Sequence, residues 1–138
     1  MTAPAITPEH LRRDARAWLE ANAPAKGSPE DFSGIHLVSA TSIEEFHRHE
    51  RFVYDTVWSW QQRLHDSGWA GLSWPREYGG HALPGWADEV FADEHSHFGV
   101  STKVLATGLQ MVPPALLQYG TPEQCARWSH RRWRPVRS

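Results

Sequence analysis

The stretch from Gly68 to Gly80, with the sequence GWAGLSWPREYGG, constrains the fold more than any other part of this chain. Glycine favours open backbone angles and proline lacks an N–H, so a regular helix does not continue through such a segment. Burial of its large aromatic side chains would hold the segment against its neighbours. We therefore predict an ordered loop that joins two helices, with these residues as its anchors: Trp69, Trp74 and Tyr78.

The sequence pattern of the first forty residues predicts one helix that is followed by a long loop. The run Thr7-Pro8-Glu9 is typical of a helix start, and apolar residues at helical spacing extend the prediction to about Ala21. The segment from Ala23 to Ala40 is rich in turn-forming residues and has no sustained period. We expect it to be a flexible loop.

A long second helix is predicted before the central loop. Ser42 and Glu45 have the spacing of a capping box, and Gly68 is expected to end the helix. The apolar residues between them recur at separations of seven, four, three and four, which draws one stripe along the helix: Phe46, Val53, Val57, Trp60 and Leu64.

The part of the chain after the loop predicts shorter helices. One is expected from about Pro84 to Phe98 and a second around residues 101–109. Pro113-Pro114 is expected to break the chain before a short helical run, and a T-x-x-Q capping box from Thr121 to Gln124 opens a last helix. No period-two strand and no repeat is found, so we predict an all-α fold of five or six helices.

Composition places this chain among soluble globular proteins. Its 138 residues suit one domain, 40% of them are hydrophobic, and the longest apolar runs are too short to span a membrane. The N-terminus has neither the basic nor the apolar region of a secretory signal, and the single cysteine, Cys125, agrees with a reducing compartment. We expect a cytoplasmic protein with no membrane partner.

Two histidine-rich runs raise the question of a metal site. They are residues 47–50 (HRHE) and residues 93–97 (DEHSH). On a helix, His47 lies one turn from Glu50, and Asp93 shares a face with His97. An H-x-H pair nevertheless points its two rings in nearly opposite directions, and further ligands have no obvious source. Solvated helix faces are the favoured interpretation, and no metal is expected.

Glu94 is the one carboxylate on the apolar stripe of its helix, which predicts partial burial. A buried acid with a raised pKa would be a candidate general base, whereas an ion pair with an arginine is the more common outcome. Cys125 lacks an identifiable base partner and is interpreted as an ordinary helix residue. The sequence contains no G-x-S-x-G, no P-loop and no G-x-G-x-x-G motif.

The last twelve residues interleave arginine with tryptophan, as nucleic-acid binders do. The formal net charge of the whole chain is −2, and the basic patch is short. Nucleic-acid binding is therefore the least favoured hypothesis, and no nucleic-acid partner is expected.

Two motifs, in this order, resemble the N-terminal helical domain of acyl-CoA dehydrogenases. The first is the G-W-x-G-x-x-W-P-x-E-Y-G-G loop at residues 68–80, and the second is L-L-x-Y-G-T-x-E-Q at residues 116–124. The resemblance covers about Glu44 to Trp128 and is closest to bacterial branches with long or sterol-derived acyl substrates. Residues 7–22 fit the first helix of the family more weakly.

The resemblance implies that the helices form an orthogonal array, and that the complete protein is a flavoenzyme of fatty-acid or sterol side-chain catabolism. A complete member combines this helical domain with a β-domain and a helical bundle, and it binds FAD between the latter two. It removes the α-proton and β-hydride of an acyl-CoA, passes the electrons to electron-transfer flavoprotein or a similar acceptor, and assembles with itself or related subunits. The helical domain would wall the acyl pocket along Lys103 to Met111, at these positions: Lys103, Thr107 and Met111.

The resemblance stops abruptly after Trp128. We therefore predict a family domain over residues 1–128 and a non-family tail over residues 129–138, the product of a truncated or frameshifted reading frame. The flavin motif and the catalytic glutamate of the family match no residue here, so we expect no FAD in this chain alone and no catalysis. An alternative is that the chain docks on a full-length relative through an apolar surface.

Overall fold

A computed structural model describes residues 5–35, 41–105 and 111–132, and these residues confirm the all-α prediction. In the described part the only β-type pairing is an isolated bridge between Ala25 and Phe98. None of the described helices is both long and apolar enough to cross a membrane. The helices of the described residues are α1 (Pro8–Asn22), α2 (Ile43–Asp66), α3 (Trp86–His95), α4 (Val112–Tyr119) and α5 (Pro122–Arg132), and two 3-10 turns lie at Arg76–Tyr78 and Lys103–Leu105.

Helix α1 begins where the sequence predicted. The Thr7 side chain accepts a hydrogen bond from the His10 N–H at 3.3 Å, and a proline occupies the first turn, where a free N–H has no helical partner. The apolar face of α1 is buried through Leu11, Ala15 and Leu19. This face packs on α3 and forms the centre of the core.

Helix α2 carries a modified capping box. Ser42 Oγ accepts from the Glu45 N–H at 3.1 Å, as predicted. The Glu45 carboxylate, however, reaches back to the N–H and hydroxyl of Thr41 instead of Ser42. The predicted stripe is buried from Val53 onward, whereas Phe46 remains 37% exposed.

The junction of α2 with the central loop is a Schellman motif. Gly68 adopts a left-handed φ of 83°. Its N–H donates to the His65 carbonyl at 3.0 Å, and the Trp69 N–H donates to the Leu64 carbonyl at 2.7 Å. Gly68 therefore ends the helix, as predicted, and directs Trp69 back toward the core.

The loop from Gly68 to Gly80 is ordered by its own backbone and by its aromatic residues. Trp74 is 4% exposed, and the ring of Trp69 stacks on Phe91 with centroids 5.3 Å apart. The Gly80 backbone lies so close to Trp74 that a Cβ there would stand 1.9 Å from the Trp74 carbonyl oxygen. Trp69 thus packs against α3, and Trp74 packs against Tyr78 within the loop. The 3-10 turn that contains Tyr78 contacts α5.

Residues 23–35 form a loop that is fastened to the end of α3. The Gly99 N–H donates to the Pro24 carbonyl at 2.8 Å, and the Phe32 N–H donates to the Gly99 carbonyl at 2.9 Å. Lys26 Nζ donates to the Ser96 carbonyl at 3.0 Å. The loop is confirmed for these residues, its flexibility stays a prediction, and residues 36–40 lie outside the described part.

Three predicted boundaries require correction. Helix α3 runs from Trp86 to His95, which is shorter than the predicted span. Pro113 and Pro114 do not break the chain before α4 but lie in its first turn, where the first N–H groups of a helix need no partner. The stretch around residues 101–109 contains a 3-10 turn at Lys103–Leu105, and residues 106–110 lie outside the described part.

The capping box of α5 is complete. The Gln124 N–H donates to Thr121 Oγ1 at 3.2 Å, and Gln124 Oε1 accepts from the Thr121 N–H at 2.9 Å. Cys125 is buried in the first turns of α5, and its thiol donates to the Leu116 carbonyl of α4 at 3.3 Å. It belongs to the packing of α4 on α5.

Candidate functional site

A cleft of about 400 Å3 opens between the C-terminal half of α2, the start of the central loop, α3 and residues 100–103. Leu64, Phe91 and Val100 form its apolar side, and each of them is at most 9% exposed. Lysines contribute positive charge to its lining, while Asp88 contributes one negative charge. The cleft is therefore amphipathic.

Gln61 is the polar residue that α2 contributes to the lining of this cleft. It is 4% exposed and lies on the inner face of the helix, between Val57 and Leu64. Its side-chain amide makes no hydrogen bond to any residue of the described part. Because Gln61 lines the cleft, its amide offers hydrogen-bonding capacity there.

His95 lies at the end of α3 and borders the same cleft. Its Nε2 accepts a hydrogen bond from the Trp60 indole N–H at 2.9 Å. An indole is only a donor, so this nitrogen is unprotonated and the neutral ring carries its proton on Nδ1. Burial lowers the pKa of His95 to about 4.

Sequence reasoning grouped His95 with a solvated histidine run and missed this contact. A signal was present, because His95 follows the buried Phe91 by four residues and thus shares its helix face. Its partner Trp60 was predicted on the inner stripe of α2. Only the tertiary structure, which places the last turn of α3 beside the inner stripe of α2, brings the two side chains together.

The Glu94 carboxylate is fully buried and held by two arginines of α1. Arg16 Nε donates to Oε2 at 2.9 Å, and Arg12 Nη1 donates to Oε1 at 2.9 Å. The hydrogen bonds from Arg16, followed by the one from Arg12, lower the pKa of Glu94 below its usual range despite burial. The predicted ion pair is confirmed, and the general-base interpretation, which required a raised pKa, is wrong.

The histidine-rich runs take part in pairwise contacts. His47 Nδ1 lies 3.5 Å from Glu50 Oε2, and Asp93 pairs with Arg12 at 2.5 Å. In the residues that the structure describes, no group of three or more His, Cys, Asp or Glu side chains is positioned to hold a metal ion. The described arrangement offers no basis for metal chemistry at either run.

A family model for the N-terminal domain of acyl-CoA dehydrogenases matches residues 36–132 of this chain. The chain belongs to the acyl-CoA dehydrogenase family. The match includes both motifs on which the resemblance rested and extends four positions beyond Trp128. No solved structure matches the chain at a significant level.

Mycobacterial acyl-CoA dehydrogenases are among the relatives of this chain. Over 123 residues it is 30% identical to acyl-CoA dehydrogenase IpdE1 of Mycolicibacterium smegmatis. It is 29% identical over 120 residues to IpdE1 of Mycobacterium tuberculosis, and 37% identical over 57 residues to FadE26 of the same organism. The first alignment covers 89% of this chain but only 29% of the relative, so the chain spans under a third of that protein.

The three positions that were predicted to wall an acyl pocket in this acyl-CoA dehydrogenase domain do not lie together at the cleft. Lys103 borders the cleft with an exposed side chain. Met111 immediately precedes α4, is 67% exposed and does not line the cleft. Thr107 lies outside the described residues.

The described residues do not fit a whole FAD. At about 400 Å3 the cleft falls near the lower end of the range for ligand pockets, which suits a small molecule better than a dinucleotide. Its described polar lining consists of separate side chains. No chemical step through the flavin is therefore assigned to residues of this chain.

Proposed function

We propose that this chain supplies the helical domain of a FAD-dependent acyl-CoA dehydrogenase, which forms the α,β-double bond of an acyl-CoA in fatty-acid or sterol side-chain catabolism. The observation that carries the proposal is the family match over residues 36–132, supported by a helical fold with no strand in its described part. In this proposal FAD and the catalytic base come from segments outside these residues. The setting is the cytoplasm, with electron-transfer flavoprotein or a similar acceptor.

The role of the helical domain in this proposal is to border the acyl chain. Residues 103–111 would form the wall, and exposure of Lys103 and Met111 leaves both side chains accessible to a neighbouring domain or ligand. The division into a family domain over residues 1–128 and a tail over residues 129–138 stays a prediction.

A test on the 138-residue chain separates a supporting domain from a complete catalyst. We expect the purified chain to show no flavin absorbance and no acyl-CoA-dependent reduction of a dye, including after incubation with FAD. A yellow preparation that reduces the dye with an acyl-CoA would overturn the claim that catalysis requires other segments.

A second candidate function, docking on a full-length relative, is favoured by exposed apolar side chains. On α4, Leu117 is 45% exposed and Tyr119 is 80% exposed; on α2, Ile43 is 77% exposed and Phe52 is 61% exposed. Exposed apolar side chains favour association where they form a contiguous patch. Size-exclusion chromatography with a full-length acyl-CoA dehydrogenase tests this function: co-elution supports it, whereas a separate monomer contradicts it.

A further inference from the structure

Two hydrogen-bond donor groups that no described residue uses lie at the cleft between α2 and α3. The Gln61 amide is 4% exposed and has no partner in the described part of the chain. The neutral ring of His95 accepts at Nε2 from Trp60, so its Nδ1 carries an N–H, and this N–H donates to no described residue. Two unused donor groups of different residues thus border one cavity.

The charge of the cleft favours an anion. Lys103 is exposed and its ammonium group forms no ion pair among the described residues, while Lys26 uses one of its three N–H groups for the Ser96 carbonyl. The opposing charge is Asp88, whose carboxylate already accepts from the Ser73 hydroxyl. The lysines therefore leave an excess of positive charge.

The remaining lining is apolar and suits a hydrophobic group. Leu64 and Val100 are each 4% exposed, and Trp69 and Phe91 line the cleft as a stacked pair of rings. Pockets for small ligands combine such walls with a few polar groups that fix orientation. The volume of about 400 Å3 accommodates a small organic molecule.

We propose that this cleft binds a small carboxylate with an apolar body, whose carboxylate is held by the Gln61 amide, His95 Nδ1–H and Lys103. Amide, imidazole and ammonium N–H groups all donate, which matches the acceptor-only chemistry of a carboxylate. The site uses residues of this chain alone. It does not depend on the flavin chemistry of the proposed function, and a chain without dehydrogenase activity would retain it.

The test titrates the full chain with phenylbutyrate and, in parallel, with phenylbutanol, which has a similar apolar body and no charge. Binding is followed through the Gln61 side-chain amide signal in ¹H–¹⁵N spectra, which Gln61→Leu identifies by its loss. We expect saturable shifts with phenylbutyrate, and affinity at least about tenfold weaker for phenylbutanol, because a charge-assisted hydrogen bond is lost.

Two charge variants locate the site. Lys103→Gln is expected to weaken phenylbutyrate binding about fivefold, because it removes a cation that attracts the carboxylate. The exposed Lys103 side chain makes no described contact, so the fold should not change. Arg51→Gln removes an equal charge from an exposed position of α2 that does not line the cleft, and it should leave the affinity unchanged. The absence of saturable binding, equal affinity for the alcohol, or equal losses in the two variants would each overturn the proposal.

Discussion

The indole N–H of Trp60 donates to His95 Nε2 at 2.9 Å, which joins the inner stripe of α2 to the last turn of α3. The ring centroids of the two residues lie 6.0 Å apart, so the contact combines a hydrogen bond with aromatic packing. Protonation of the imidazole would replace the acceptor with a second donor facing the indole. The junction of the two helices is therefore sensitive to acid.

This contact predicts a pH dependence of stability. The pKa of His95 is lowered from 6.5 to about 4 by burial, so between these values the unfolded chain binds a proton that the folded chain does not. The free energy of unfolding should fall by roughly 3 kcal/mol as the pH decreases from 6.5 to 4, and this contribution should be fully present above 6.5. Urea denaturation at a series of pH values measures it.

His95→Gln is the informative variant, because the glutamine carbonyl can accept from Trp60 but does not titrate. The slope of stability between pH 6.5 and 4 should decrease in this variant. His10→Gln, at an exposed position of α1, is the matched control and should keep the slope of the parent chain. An unchanged slope in His95→Gln would refute the assignment to this residue.

The buried carboxylate of Glu94 predicts a strong dependence of folding on its charge. Glu94→Gln preserves the size of the side chain but weakens its hydrogen bonds with Arg12 and Arg16, and it should lower the free energy of unfolding by about 1–3 kcal/mol. Asp93→Asn is the matched control, because it alters the ion pair of Asp93 with the same Arg12, and the Asp93 side chain is 54% exposed. It should cost under about 1 kcal/mol by chemical denaturation. Equal losses would contradict a special role for the buried group.

The close approach of the loop backbone to Trp74 predicts that Gly80 tolerates no side chain. A Cβ at Gly80 would meet the Trp74 carbonyl oxygen at 1.9 Å, so Gly80→Ala requires the backbone to move. We expect a loss of about 3 kcal/mol or more and a weaker near-ultraviolet tryptophan signal. Gly85→Ala is the control, because nothing lies within 4 Å of a Cβ there. Similar melting temperatures for the two variants would show that the loop adapts.

Local features of this fold could be predicted from sequence because they depend on neighbouring residues. Ser42, Gly68 and the pair Thr121 and Gln124 occupy the predicted caps, since each acts on backbone groups a few positions away. Pro113 and Pro114 misled the prediction because proline both breaks a helix and suits its first turn.

Long-range features could be predicted only in part. The spacing of Glu94 among apolar residues indicated burial and an arginine partner, but Arg12 and Arg16 lie about eighty positions earlier and were not identifiable. Gln61 was assigned no role from the sequence and His95 was placed in a solvated histidine run, because an amide or an imidazole next to an apolar stripe is common. Their significance depends on the cleft that both residues line in the folded chain.

The central claim is that this chain is the helical domain of an acyl-CoA dehydrogenase, and a domain exchange tests it directly. Residues 5–132 would replace the aligned region of IpdE1 in Mycolicibacterium smegmatis, and the measurement is acyl-CoA-dependent dye reduction in extracts, with the flavin content of the purified chimera as a control for folding. We predict a flavin-containing chimera and acyl-CoA-dependent dye reduction well above that of cells lacking IpdE1. A folded, flavin-loaded chimera with no acyl-CoA oxidation above that background would contradict the claim.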